Sequence, residues 1–145
     1  GEDVSSEIRT PEIAYYASRV SAVPEVREFL LNTQRDMAKN GNILMDGRDI
    51  GTVILPDAPV KIFLTASAES RAERRYKELA EKGQQVTMES VLHDINERDR
   101  QDMNRAIAPL RQAEDAVLLD TSALTLEESI ASVLRIIREK TEENK

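Results

Sequence analysis

The sequence predicts an α/β fold built on a parallel sheet. Short β-branched segments alternate with longer stretches whose apolar residues recur at helical spacing, the pattern of strands joined by crossover helices. Capping residues or prolines stand ahead of the helical stretches, and glycine or proline follows several of them. With 145 residues, the chain is one domain by length and has enough material for a core.

The elements follow in order. Thr10-Pro11-Glu12 combines a capping hydroxyl, a proline at the first helical position and an acid, so a helix runs from there to about Ala22. Pro24 starts a second helix, with Val26, Phe29, Leu30, Thr33 and Met37 on one face and Gly41 as its stop. A first strand is expected at Ile43–Asp46. Pro56 and Pro59 bracket a loop, and Val60–Thr65 reads as a second strand. Ser67 caps a helix from about Ala68 to Lys82, which Gly83 ends. Thr87 caps another that runs toward Ala106 and ends before Pro109. Ala116–Asp120 is a third strand. Thr125 and Glu128 form a capping box for a closing helix striped by Leu126, Ile130, Val133, Leu134 and Ile137. Three strands are few against a mean of about five or six, from which the expectation is that strands are missing from the front of the chain.

Composition narrows the functions. Hydrophobic residues make up 40% and charged residues 32%, the balance of a globular chain. Aromatics are 3% and the net charge is −7, so neither stacking platforms nor a general basic surface for nucleic acid is expected. Arginines nonetheless gather between Arg71 and Arg111, which leaves room for a local anion site. Cysteine is absent, which rules out disulfides and thiolate metal ligands and fits a cytoplasmic setting. With His93 as the single histidine, a multi-histidine metal centre is ruled out within one chain, and no metal ligands are assigned. No apolar run reaches ~18 residues, and the polar start of the chain does not read as a signal peptide.

Three groups of residues carry candidate chemistry. The segment Asp46-Gly47-Arg48-Asp49 follows an apolar run and sets a planar five-donor fork beside a two-oxygen acceptor. At the carboxyl end of a strand such a turn suits a ligand with a phosphate and polar ring edges; it also suits a plain Asp-Gly turn. In the helix after Thr87 the stripe Met88, Val91, Leu92, Ile95 continues as Arg98, Asp102 and Arg105. Such groups on an apolar face need partners or a ligand, unless the helix simply emerges into solvent there. Arg71, Arg74 and Arg75 share a helix face that can grip phosphate, or pair with Glu69, Glu73 and Glu78. Ser18 by itself reads as a surface serine, His93 as an exposed helix residue, and Asp120 as a ligand-edge residue or a turn former.

Taken together, the runs resemble bacterial cytidylate kinases. The resemblance is carried by Asp46-Gly47-Arg48-Asp49-Ile50-Gly51-Thr52, by Pro56-Asp57-Ala58-Pro59-Val60-Lys61-Ile62-Phe63-Leu64 and by Glu97-Arg98-Asp99. Asn104-Arg105-Ala106-Ile107-Ala108-Pro109-Leu110 and Ala113-Glu114-Asp115-Ala116 extend it, and it runs nearly unbroken from Gly1 into the last helix. It implies the fold of a P-loop nucleoside monophosphate kinase: a parallel sheet, flanking helices and a helical lid. It further implies core and monophosphate-binding helices over 1–66, a lid over about 67–106, and core again over 107–145.

The activity implied is transfer of the ATP γ-phosphoryl group to CMP or dCMP, with Mg²⁺ on the ATP phosphates. Residue by residue, the resemblance places Arg27, Asp49 and Arg105 around cytosine and Ser18, Arg98 and Asp102 on the pentose hydroxyls. Arg48 falls on the substrate phosphate. Arg71, Arg74 and Arg75 fall in the lid over ATP, where Arg48 and Arg74 would serve catalysis by stabilising charge. No Gly-x-x-x-x-Gly-Lys-Ser/Thr occurs in the chain, whereas the family carries its P-loop and first strand ahead of the matching region. The expectation is therefore a partial domain that lacks the phosphate cradle, does not turn over ATP alone, and is completed by an amino-terminal segment. A non-catalytic nucleotide-binding module and a UMP- or AMP-specific kinase of the same group are the competing readings.

Overall fold

The computed structural model describes residues 2–5, 7–39 and 41–143, apart from the side chain of Pro11. It is α/β, with five helices and a short parallel two-stranded sheet among the described residues. The contacts divide it into two compact units. One holds the described residues up to Asp46 together with Arg105–Ile107; the other holds Gly47–Asn104 and the described residues from Ala108 onward.

The first unit is a helical hairpin, α1 (Pro11–Ser21) and α2 (Pro24–Lys39), preceded by a 3₁₀ turn at Glu7–Arg9. Thr10 caps α1 as its sequence promised, with Oγ1 accepting from the Ile13 N–H at 3.2 Å. None of the unit's described residues is buried. On the expected stripe of α2, Val26 is half-buried, whereas Leu30 and Met37 are exposed and Phe29 is 78% exposed. The expected strand Ile43–Asp46 does not form; residues 42–46 are irregular. A strand exists only through a ladder with a neighbour, and no other strand lies among the described residues of this unit.

The second unit contains β1 (Ile62–Thr65), α3 (Ala68–Glu81), α4 (Met88–Asn104), β2 (Val117–Asp120) and α5 (Leu126–Glu143). The strands pair in parallel, Ile62 opposite Val117 and Thr65 opposite Asp120. Both are shorter than the segments expected from the sequence by one or two residues. The helix starts form as read. Ser67 Oγ accepts from Ser70 N–H at 3.1 Å, Thr87 Oγ1 from Ser90 N–H at 3.1 Å, and Thr125 and Glu128 bond reciprocally at 2.8 and 3.2 Å. Gly83 at φ +72° closes α3 with paired bonds, its own N–H to Ala80 and that of Gln84 to Leu79. Only glycine enters that region without strain.

Ala72, Leu79 and Val91 form a small buried cluster between α3 and α4, flanked by Val86, Leu92 and Ile95. Val91, Leu92 and Ile95 of the α4 stripe are therefore core, whereas Met88 is exposed. α5 buries Ile136 and half-buries Val133 and Ile137, while Leu126, Ile130 and Leu134 of its expected stripe stay exposed. That stripe spans a wider arc of the helix than β2 covers, so only the side facing the strand is buried.

Candidate functional site

The Arg48–Asp49 turn is built by an uncommon backbone. Residues Ile50–Ile54 form a π-helical turn in which the Asp49 carbonyl accepts from Val53 N–H at 2.9 Å and Ile54 N–H at 3.2 Å. Leu55 N–H reaches the Ile50 carbonyl at 2.7 Å, and Thr52 Oγ1 adds a bond to the Asp49 carbonyl. Single π turns are rare and recur at functional sites. Asp49 is buried, whereas Arg48 keeps its side chain 43% exposed.

Arg48 Nε donates to Asp102 Oδ2 at 2.8 Å, joining this turn to α4 across 54 residues of sequence. Asp102 is one of two buried residues of α4, the other being Val91. The polar end of the α4 stripe thus meets a charged partner, as the cost of burying a lone carboxylate requires. Asp102 occupies only Nε, so the terminal nitrogens of Arg48 offer four N–H groups in a planar fork, suited to phosphate or carboxylate oxygens.

The rest of the stripe departs from the helical expectation. α4 ends at Asn104, so Arg105 lies beyond it and shares no helix face with Arg98 and Asp102. Beyond the helix end Ala108 sits at φ +49°, and Leu110 N–H bonds back to the Asp102 carbonyl at 2.8 Å. Arg105 is half-buried and belongs with the first unit, and Arg98 is exposed. Ser18 and Arg27 also lie in the first unit. There Arg27 Nη1 donates to the Ser21 carbonyl at 3.1 Å, and Ser21 Oγ donates to the Ser18 carbonyl at 2.8 Å.

The three α3 arginines take three different roles. Arg71 grips Asp99 with both terminal nitrogens, at 3.0 and 2.6 Å, and gives Nε to the Ala66 carbonyl at 3.0 Å. Arg74 Nη2 donates to the Thr121 carbonyl at 2.5 Å. Only Arg75 behaves as an ordinary surface partner, pairing with Glu78 at 2.7 Å. The hydrogen bond from Lys82, then the hydrogen bond and charge of Arg75, hold the Glu78 carboxyl down to about 2.

At the carboxyl ends of the strands the two loops are laced together. Ser122 Oγ accepts from Ser67 N–H at 2.7 Å and donates to Asp120 Oδ1, while Ser70 Oγ donates to the Ser122 carbonyl at 2.9 Å. Asp120 is a turn former here, and its bonds from the Ser122 hydroxyl and N–H hold its carboxyl below the usual range. His93 is exposed on α4, as expected.

Sequence reasoning missed Asp99 and Lys61. Asp99 lies four residues after Ile95 and eight after Val91, so extending the buried face by i+4 steps would have reached it. Lys61, inside the expected strand Val60–Thr65, carried no such signal.

The family profile described as cytidylate kinase matches residues 1–139. A cytidylate kinase of Thermosipho melanesiensis is 55% identical over 140 residues, covering 97% of this chain and 64% of the relative. One from Caldicellulosiruptor saccharolyticus is 54% identical over 136 residues, covering 94% and 60%. One from an Enterobacter species is 54% identical over 140 residues, covering 97% and 62%. The chain thus spans somewhat under two-thirds of the length of these curated relatives. With residues 1–139 of the chain matched by the profile and more than half of the aligned residues identical, the chain belongs to the cytidylate kinase family.

Proposed function

We propose that this chain is the CMP-binding and lid portion of an ATP-dependent cytidylate kinase, which transfers the ATP γ-phosphoryl group to CMP or dCMP. The observation that carries the reading is the Arg48–Asp102 contact, in which a buried carboxylate holds one edge of a guanidinium and leaves its other donors for an anion. Arg48 binds the substrate phosphate. Ser18, Arg98 and Asp102 serve the pentose hydroxyls. Arg27, Asp49 and Arg105 serve the cytosine. Cytosine presents O2 and N3 as acceptors and its 4-amino group as a donor, so arginines suit the first two and an aspartate the third. Uracil inverts the pattern at N3 and C4 and would leave those groups unpaired, which is a strong ground for rejection.

Residues 67–106 form the lid. Arg74 and Arg75 face the ATP phosphates when it closes, and Arg48 and Arg74 stabilise the charge of the transferring group. Arg71, which also lies in the lid, contributes while keeping its hold on Asp99. No side chain acts as a nucleophile, because phosphoryl transfer is mainly positioning and electrostatics. Mg²⁺ would neutralise the ATP phosphates. Among the described residues no three His, Cys, Asp or Glu side chains gather to hold a metal ion. The phosphate cradle belongs to a preceding P-loop segment of the whole enzyme, without which the chain does not turn over ATP. Among the described residues no helix is long and apolar enough to cross a membrane.

Calorimetric titration of the chain with CMP, with UMP as the control, tests the proposal. Saturable CMP binding with UMP excluded is the expected result. Arg105→Met should weaken CMP by about 1–3 kcal/mol, the loss of a charged hydrogen bond. Equal binding of CMP and UMP, or an unchanged affinity in Arg105→Met, would remove these residues from the base site.

A further inference from the structure

Lys61 is a half-buried cation that the proposed chemistry does not use. It stands immediately before β1, and its carbonyl accepts from Val117 N–H at 2.9 Å, so the sheet fixes its backbone. Its side chain is only 8% exposed, rare for a lysine, while its carboxylate partner Asp115 stays 65% exposed. Lys61 Nζ donates to the Pro56 carbonyl and pairs with Asp115 Oδ2 at 2.6 Å. The bond from the ammonium holds the Asp115 carboxyl below the usual range.

Between backbone and head, the lysine stem passes Gly51. A Cβ at Gly51 would lie 3.1 Å from Lys61 Cδ and 3.5 Å from Cγ. Gly51 is the second residue of the π-helical turn that follows Arg48 and Asp49, and Pro56 lies just past its end. One side chain therefore touches the turn in its first half, ties down its exit, and anchors both to the 113–116 turn through Asp115.

We propose that Lys61 is a positioning residue for nucleotide binding, setting the π-helical turn so that Arg48 and Asp49 face their ligand. The inference rests on the reading of Arg48 and Asp49 as substrate residues. It extends that site to a residue that touches no ligand, and it gives Gly51 a reason: a side chain there would displace the lysine stem. Sheet, lysine and turn form one lever, in which β1 is the fixed end and the Arg48–Asp49 fork the working end.

The test compares the chain with Lys61→Met, which keeps a stem of similar length without the ammonium, Lys61→Arg, which keeps the charge, and Gly51→Ala, which presses on the stem from the other side. Amide hydrogen exchange and CMP titration are the two readouts. In Lys61→Met, exchange at Val53, Ile54 and Leu55 should quicken at least ~10-fold while Leu79 and Val91 of the α3–α4 cluster stay unchanged. CMP affinity should fall about 10-fold, with Lys61→Arg recovering most of both effects. Gly51→Ala should quicken the same three amides. Unchanged exchange at these amides, equal acceleration throughout the unit, or wild-type CMP affinity in Lys61→Met would each overturn the inference. If the wild-type chain itself fails to bind CMP, the substrate reading falls instead, and the exchange data alone decide whether Lys61 governs the turn.

Discussion

The Arg71–Asp99 pair should be the strongest single polar link between α3 and α4. Its worth follows from its geometry. Two N–H···O bonds at 3.0 and 2.6 Å join it, with side chains 35% and 22% exposed, between the regimes of a solvated and a buried pair. Exposed pairs contribute about 0.2–1 kcal/mol, and hydrogen bonds to charged groups about 1.5–3 kcal/mol. A coupling of about 1–2 kcal/mol is the expected value. Asp99→Ala should cost about 1.5 kcal/mol. Arg71→Ala should cost about 1 kcal/mol more, since it also loses the Ala66 carbonyl bond and its packed stem. The double variant should be less destabilised than the sum of the singles by the coupling energy. Urea unfolding of the four proteins at a common m-value measures it. Additivity within about 0.5 kcal/mol would refute the argument, because the fork would then contribute nothing beyond its parts.

Three further outcomes are expected. Leu79→Ala should destabilise the chain by about 2–3 kcal/mol in urea unfolding, near the low end for a buried leucine because its cluster is small. Thr125→Ala should cost about 1 kcal/mol, read from the same transition, through loss of the capping box of α5. Glu78 has a carboxyl held at about 2 against an ordinary 4.5, so its contribution is full above 4.5 and disappears as pH falls through about 2. The Tm gap between wild type and Glu78→Gln should accordingly be present at neutral pH and close by pH 2; a gap that widens on acidification would contradict the sign.

What was legible in the sequence was local. Thr10, Ser67, Thr87 and Thr125 act on amides three residues away, so the pattern that signals them is also the contact they make. Gly83 is equally local. Ile43–Asp46 has strand composition but no ladder, and a ladder depends on a partner that the segment itself does not encode. The helix face through Arg98, Asp102 and Arg105 extended the period of α4 past its true end at Asn104, where the chain turns so that Leu110 N–H bonds back to the Asp102 carbonyl, a contact eight residues long that helical spacing does not signal. The Arg48–Asp49 turn was legible as a charged turn. Its π-helical backbone, the grip of Asp102 54 residues away and the support of Lys61 were not, since each depends on chain segments brought together only by the fold.

The lacing of the strand ends has a kinetic consequence. The bond from Ser67 N–H to Ser122 Oγ joins positions 55 apart, and the parallel ladder from Ile62 opposite Val117 to Thr65 opposite Asp120 spans a similar separation. Closing a flexible loop of that length costs about 3.5 kcal/mol plus a constant before any pairing compensates it. The α3–α4 hairpin lies inside that loop and carries its own apolar cluster. Forming it first draws the loop in, so the hairpin is the early structure on the folding route and the β1–β2 pair the late one. The same order in reverse makes the strand ends, with the Thr121 carbonyl that holds Arg74 and the Ser122 bonds to Ser67 and Ser70, the first tertiary structure of this unit to open under denaturing stress.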